Sequence, residues 1–134
     1  MAEERSGIER LGGEPPSPWE DRYGYSRVVS AGPFVFIGGT TSVDPEGFVV
    51  GVTPYEQAVE VFRKLGNELR RVGLGADSVV ETRIYVTDIS RSDEVGRAHF
   101  EALGAAKPLA TMIEVSGFID PRMLVEIELV AYRG

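Results

Sequence analysis

The side chains able to do chemistry in this 134-residue chain are few, because it carries one histidine and no cysteine. Without cysteine there is no thiolate nucleophile, no disulfide and no thiolate-bound metal. His99 is an acid–base candidate by type. It lies, however, in Val95-x-x-x-His99-x-x-x-Leu103, a helical stripe on which a lone histidine packs more often than it reacts. No zinc-ligand spacing surrounds it, and there is neither a Walker loop nor a G-x-S-x-G elbow, so no metal and no cofactor is expected. A polar set remains. Glu126 can orient or deprotonate a water if burial lifts its pKa toward the working range, or it is a solvated or ion-paired strand glutamate. Arg83 can present a cation to an anionic ligand, or pair across strands with Glu126 or Glu128. Gly39 and Thr40 can offer a backbone N–H and a hydroxyl to a ligand, or form a plain turn. Tyr25 can close a cleft with its ring and hydroxyl, or be satisfied by a neighbouring chain.

The elements that must position these residues are legible from spacing. Arg27–Ser30 and Phe34–Gly38 read as two short strands around the turn Ala31-Gly32-Pro33. Asp44-Pro45-Glu46-Gly47 is a second turn, followed by a brief apolar run, Phe48-Val49-Val50. Thr53-Pro54-Tyr55-Glu56 is a capping box with proline at the first helical position. Ala58, Phe62, Leu65, Leu69 and Val72 then give one buried stripe, and Gly73 stops the helix. The strand Val79–Thr87 presents Val80, Thr82, Ile84 and Val86 on one face. A second helix begins at Ser92-Asp93-Glu94, with Ser92 as cap, and ends near Gly104. Two closing strands, about 110–115 and 123–132, are separated by the loop 116–122. In the last strand Val125, Ile127, Leu129 and Ala131 share a face opposite Glu126 and Glu128.

The predicted order is β-β-(β)-α-β-α-β-β, an α+β domain over residues 19–134. Residues 1–18, rich in Gly and Pro, read as an extended N-terminal arm. Two helices can cover one sheet face. The other face, with Glu81, Arg83, Tyr85, Glu126 and Glu128, is either solvated or shared with another subunit.

Composition bounds the partners. The formal net charge is −7, and no segment concentrates lysine and arginine as a nucleic-acid surface does, so nucleic acid is not an expected partner. No apolar run is long enough to span a membrane, and the acidic start resembles no secretory signal, which makes a cytoplasmic setting the default.

Several segments together resemble the Rid family, also called YjgF or L-PSP. Gly24-Tyr25-Ser26-Arg27 is similar to its G-[PY]-Y-S segment, and Val35-Phe36-Ile37-Gly38-Gly39-Thr40 to its V-F-x-S-G-Q strand and turn. Arg83–Asp88 resembles the strand before its second helix, and Leu124-Val125-Glu126-Ile127-Glu128 its closing strand. The resemblance implies a chorismate-mutase-like fold, a mixed sheet with two helices on one face, assembled as a homotrimer with a small-molecule ligand in clefts between subunits. It further implies hydrolysis of a reactive imine or enamine, with a glutamate, here Glu126, positioning the water and Tyr25 near the ligand. The family's carboxylate-clamping arginine falls on Ala110, beside Thr111 and Met112 in the same ligand-binding segment. A methyl group offers neither charge nor donor. Truncating such a clamp costs about 2–5 kcal/mol when it is desolvated, which sets a non-catalytic metabolite-binding trimer against the enzyme. An older family label, endoribonuclease or translation inhibitor, is opposed by the charge balance.

Overall fold

Alternate residues of one strand, Val125, Ile127, Leu129 and Ala131, are buried as the sequence pattern predicts, and the fold is arranged around them. The computed structural model describes residues 7–134. Its elements are β1 (Ile8–Leu11), α1 (Pro18–Tyr23), β2 (Val28–Ala31), β3 (Phe34–Thr40), α2 (Pro54–Arg71), β4 (Val79–Val86), α3 (Ser92–Leu103), β5 (Leu109–Glu114) and β6 (Val125–Tyr132). The strands form one six-stranded sheet in the order β1-β2-β3-β6-β4-β5. Only the β4–β5 pair is parallel; the long crossover that a parallel pair requires is supplied by α3.

The inner face of this mixed sheet lies under α2 and α3. Ala58, Val61, Phe62, Leu65 and Leu69 of α2 meet Val35, Ile37, Ile84, Ile127 and Leu129 in one core cluster, with Val95, Ala98 and Leu103 of α3 beside them. Each of the valines, leucines, isoleucines and the phenylalanine contributes about 1.5–3 kcal/mol on burial. The start of α2 is fixed as expected: Thr53 accepts from the Glu56 N–H at 3.1 Å, and the Glu56 carboxylate accepts from the Thr53 N–H at 3.3 Å. Gly73, at φ 79°, ends it in the left-handed conformation that glycine adopts without strain.

Four local expectations change. The first concerns the arm. Residues 1–6 lie outside the described residues, but Ile8–Leu11 is an edge strand paired antiparallel with Val28–Ala31. The segment that follows wraps the carboxylate of Glu20, which accepts from the Gly13 and Ser17 N–H groups, both at 3.1 Å. A Cβ at Gly12 would stand 2.9 Å from Glu20 Oε1, so a larger residue there would have to displace that carboxylate. Four residues between glycines are too short for a periodic signal. The short helix α1, also absent from the sequence reading, carries the same Ser/Thr-Pro-x-Glu pattern at Ser17–Glu20 that marks α2. Glu20→Ala is expected to cost about 2–4 kcal/mol, from two charge-assisted bonds. It should also speed amide exchange across Ile8–Leu11; exchange as slow as in the wild type would show that strand pairing alone holds the segment.

The other three are smaller. Phe48–Val50 is not a strand, because Asp44 accepts from the Glu46 and Phe48 N–H groups and winds the segment into a turn; only a Val43–Val49 bridge remains. In β4 a register shift between Val79 and Glu81 turns Val79 inward and leaves Val80 exposed. Ser92 does not cap α3. Asp88 accepts from the Ser90 N–H at 3.0 Å and caps a single 3-10 turn, Ile89–Arg91, that runs directly into the helix.

Candidate functional site

Between Ile37, opposite Leu129, and Thr40, opposite Ile127, β3 holds one residue more than β6. The extra residue makes a bulge at Gly38-Gly39, a device that re-aims side chains and ends regular pairing. It returns Thr40 to the buried side, at 5% exposure. The bulge carbonyls point away from the ladder and need donors. Arg27, at the foot of β2, supplies them. One terminal nitrogen donates to Gly39 O at 2.9 Å; the other donates to Gly38 O at 2.7 Å and to Thr40 Oγ1. Thr40 Oγ1 donates onward to Gly38 O at 2.8 Å, so this hydroxyl is spent inside the fold and is not free for a ligand as expected.

The carboxylate of Glu126 lies against the other side of the same glycine. A Cβ on Gly39 would fall 2.0 Å from Glu126 Oε2. Among the described residues no group donates a hydrogen bond to this carboxylate. Burial pushes its pKa up, Arg27 opposes the rise and Glu128 reinforces it. The loop leaving the bulge is anchored by Lys64 of α2, whose Nζ donates to Thr41 O at 2.6 Å and Val43 O at 2.7 Å. Burial first, and the Arg27 charge second, bring that ammonium down to about 8. Two cations and one carboxylate thus share a corner of an otherwise acidic protein.

Gly39→Ala tests this geometry cleanly. The clash is with the end of a flexible side chain, so stability should change by less than about 1 kcal/mol while Glu126 must swing away. Activity that depends on Glu126 is expected to fall by about tenfold or more, and full retention would mean that the carboxylate position over Gly39 is unimportant.

The remaining expected site residues scatter. Tyr25 is exposed, and its N–H donates to Glu20 O at 3.0 Å. Arg83 does not pair with Glu126 or Glu128: its Nε meets Glu81 on its own strand at 3.3 Å. Glu128, directly opposite in register, instead accepts from the Tyr85 hydroxyl at 2.9 Å. Ala110, Thr111 and Met112 lie on β5, separated from β6 by β4. Ala110 pairs with buried Thr82 and Met112 with buried Ile84, on the helix-covered side; Thr111 pairs with Arg83 on the open side. Within one chain, then, position 110 and Glu126 do not meet. His99 follows its bland reading, half-buried, with Nε2 2.9 Å from Thr82 Oγ1 and its ring edge-on to Phe62, and burial lowers its pKa. Among the described residues no cluster of three or more potential ligands could hold a metal, and no helix is long and apolar enough to cross a membrane. The residue of this corner that sequence reasoning missed is Arg27. It stands in the Gly24–Arg27 segment, but nothing local says that it folds onto carbonyls a dozen residues later.

A model of the family described as "Endoribonuclease L-PSP" matches residues 19–133. The chain belongs to this family, the Rid or YjgF proteins. An uncharacterised protein of Streptomyces coelicolor is 40% identical to this Rid protein over 118 residues, 88% of each chain. The crystal structure of Rv2704 of Mycobacterium tuberculosis, titled as a member of the YjgF/YER057c/UK114 family, superposes with a TM-score of 0.82 at 39% identity, covering 93% of this chain and 98% of that one. Reactive Intermediate Deaminase A, a chloroplastic protein of Arabidopsis thaliana, is 27% identical over 108 residues, 80% of this chain and 57% of that one. The α+β fold expected from the resemblance is thus that of a Rid domain.

Proposed function

We propose that this Rid protein hydrolyses a small reactive imine or enamine, with Glu126 as the base, in clefts between the subunits of a homotrimer. The observation that carries this reading is the Glu126 carboxylate, partly buried, raised in pKa and without a donor among the described residues, standing beside a fixed guanidinium. A carboxylate left in this state is available to a water. The water oxygen bonds to the imine carbon as Glu126 takes its proton. Passing that proton to nitrogen gives a carbinolamine, and transfer of its hydroxyl proton to the same nitrogen lets the carbon–nitrogen bond break, leaving a carbonyl compound and ammonia. The name of the Arabidopsis relative supports the same chemistry.

Assembly is supported by the open sheet face, where Phe34, Phe36 and Tyr132 are exposed and Phe34 and Tyr132 rings sit 5.3 Å apart. A second copy docked there would also explain why Glu126 and the β5 segment lie apart in a single chain. Ammonia release from imines made in place by an amino-acid oxidase tests the activity, with light scattering for the assembly; a stable monomer with this face in water removes the cleft. Ala110 favours one alternative, a trimer that holds a metabolite without turning it over. A ligand retained in native mass spectrometry, with no ammonia released, would establish that alternative instead.

A further inference from the structure

We infer that Arg27 anchors the carboxylate of a small anionic ligand beside Glu126. The inference rests on the proposed site but not on its turnover.

A guanidinium has five N–H donors. Three are committed, to Gly38 O, Gly39 O and Thr40 Oγ1. The Nε–H and one N–H of a terminal nitrogen have no acceptor among the described residues. Arginines 63, 71, 83, 91 and 122 each hold a carboxylate in an ion pair, whereas among the described residues Arg27, like Arg22, Arg70, Arg97 and Arg133, holds none. Its half-buried side chain is pinned by backbone, so the geometry of the free donors is set before a ligand arrives, and little ordering entropy remains to be lost. The neighbouring ammonium of Lys64 is turned to Thr41 O and Val43 O. Its charge still adds to the local positive potential.

Both groups meet at one residue: Arg27 donates to the carbonyl of Gly39, while Glu126 covers the Cα of Gly39. Binding the anion against Arg27 also compensates the charge of Glu126, which would otherwise repel it.

The competing explanation is that Arg27 only braces the bulge. Titration of the full-length assembled protein with 2-oxobutanoate and with its uncharged analogue butanone separates the two. The wild type should prefer the acid, and in its NMR spectrum the Arg27 Nε–H resonance should move with 2-oxobutanoate but not with butanone. Arg27→Gln keeps an amide donor and loses the charge; it should weaken 2-oxobutanoate by about 10- to 100-fold, the worth of a charge-assisted hydrogen bond. Arg27→Lys should recover part of the loss. In the same Arg27→Gln variant the acidic limb of any Glu126-dependent activity should shift to higher pH, because the charge that lowers the Glu126 pKa is gone. Unchanged affinity in Arg27→Gln, or an Nε–H resonance indifferent to the acid, overturns the inference, and the NMR arm needs no variant to fold. Arg27-dependent binding without ammonia release would sink the proposed hydrolysis and leave the anchor standing. Ammonia release indifferent to Arg27 would do the reverse.

Discussion

Glu126→Gln is expected to lower imine hydrolysis by about 10²- to 10⁴-fold, the usual contribution of a positioned base, while leaving assembly and melting temperature intact or slightly improved. The amide matches the carboxylate in shape and still fits against Gly39. It cannot accept the proton of an attacking water. The stability side follows from the direction of the pKa shift, which is upward and caused first by burial. A carboxylate raised on folding is favourable only while protonated; its contribution is lost as pH rises through the folded-state value. At neutral pH the ionised group is therefore a net burden, which glutamine removes. For the wild type the same shift places the acidic limb of kcat/KM above the ordinary glutamate range. Ammonia assays across pH, with thermal melts of both proteins, check the pair. A variant that keeps full activity would end the case for Glu126 as base; one that loses activity and melts far below the wild type would recast it as a structural residue.

Gln57→Leu is expected to be the most destabilising single change short of a core truncation, at about 3 kcal/mol or more. Gln57 is 1% exposed on the inner side of α2. Its side-chain nitrogen donates to Gly51 O at 3.1 Å and to Arg122 O at 2.8 Å, and its oxygen accepts from the Leu124 N–H at 2.8 Å. Leucine fills the volume and satisfies none of these. Each buried backbone group left unpaired costs about 1–3 kcal/mol, against a total domain stability of about 5–15 kcal/mol. Because Leu124 lies two residues before Glu126, loosening this anchor should also lower Glu126-dependent activity in the fraction that remains folded. Denaturant unfolding gives the number; a midpoint within about 0.5 kcal/mol of the wild type would mean that water reaches the freed groups.

Gln57 and Arg27 show where reading the chain stops. Both sit inside segments whose type is legible: Gln57 in a capped amphipathic helix, Arg27 where a strand begins. In neither case does periodicity say which distant carbonyls the side chain will find. Val80 shows a second limit, since strict alternation puts it inside and one bulged residue puts it out. The β1 strand shows a third, because four residues carry no period and acquire their structure from the neighbour they pair with.

By itself the sequence determined the α2 caps and stripe, the inward face of β6, the α+β order and the family resemblance. These depend on spacing along the chain and on the conformational preferences of single residues, which act before any long-range contact forms. Only the tertiary structure decided that Glu126 lies over Gly39, that Arg27 closes the bulge beneath it, and that position 110 sits two strands away. Such facts depend on strand register and on one extra residue in β3, and register is settled by the packing of the whole sheet against α2 and α3.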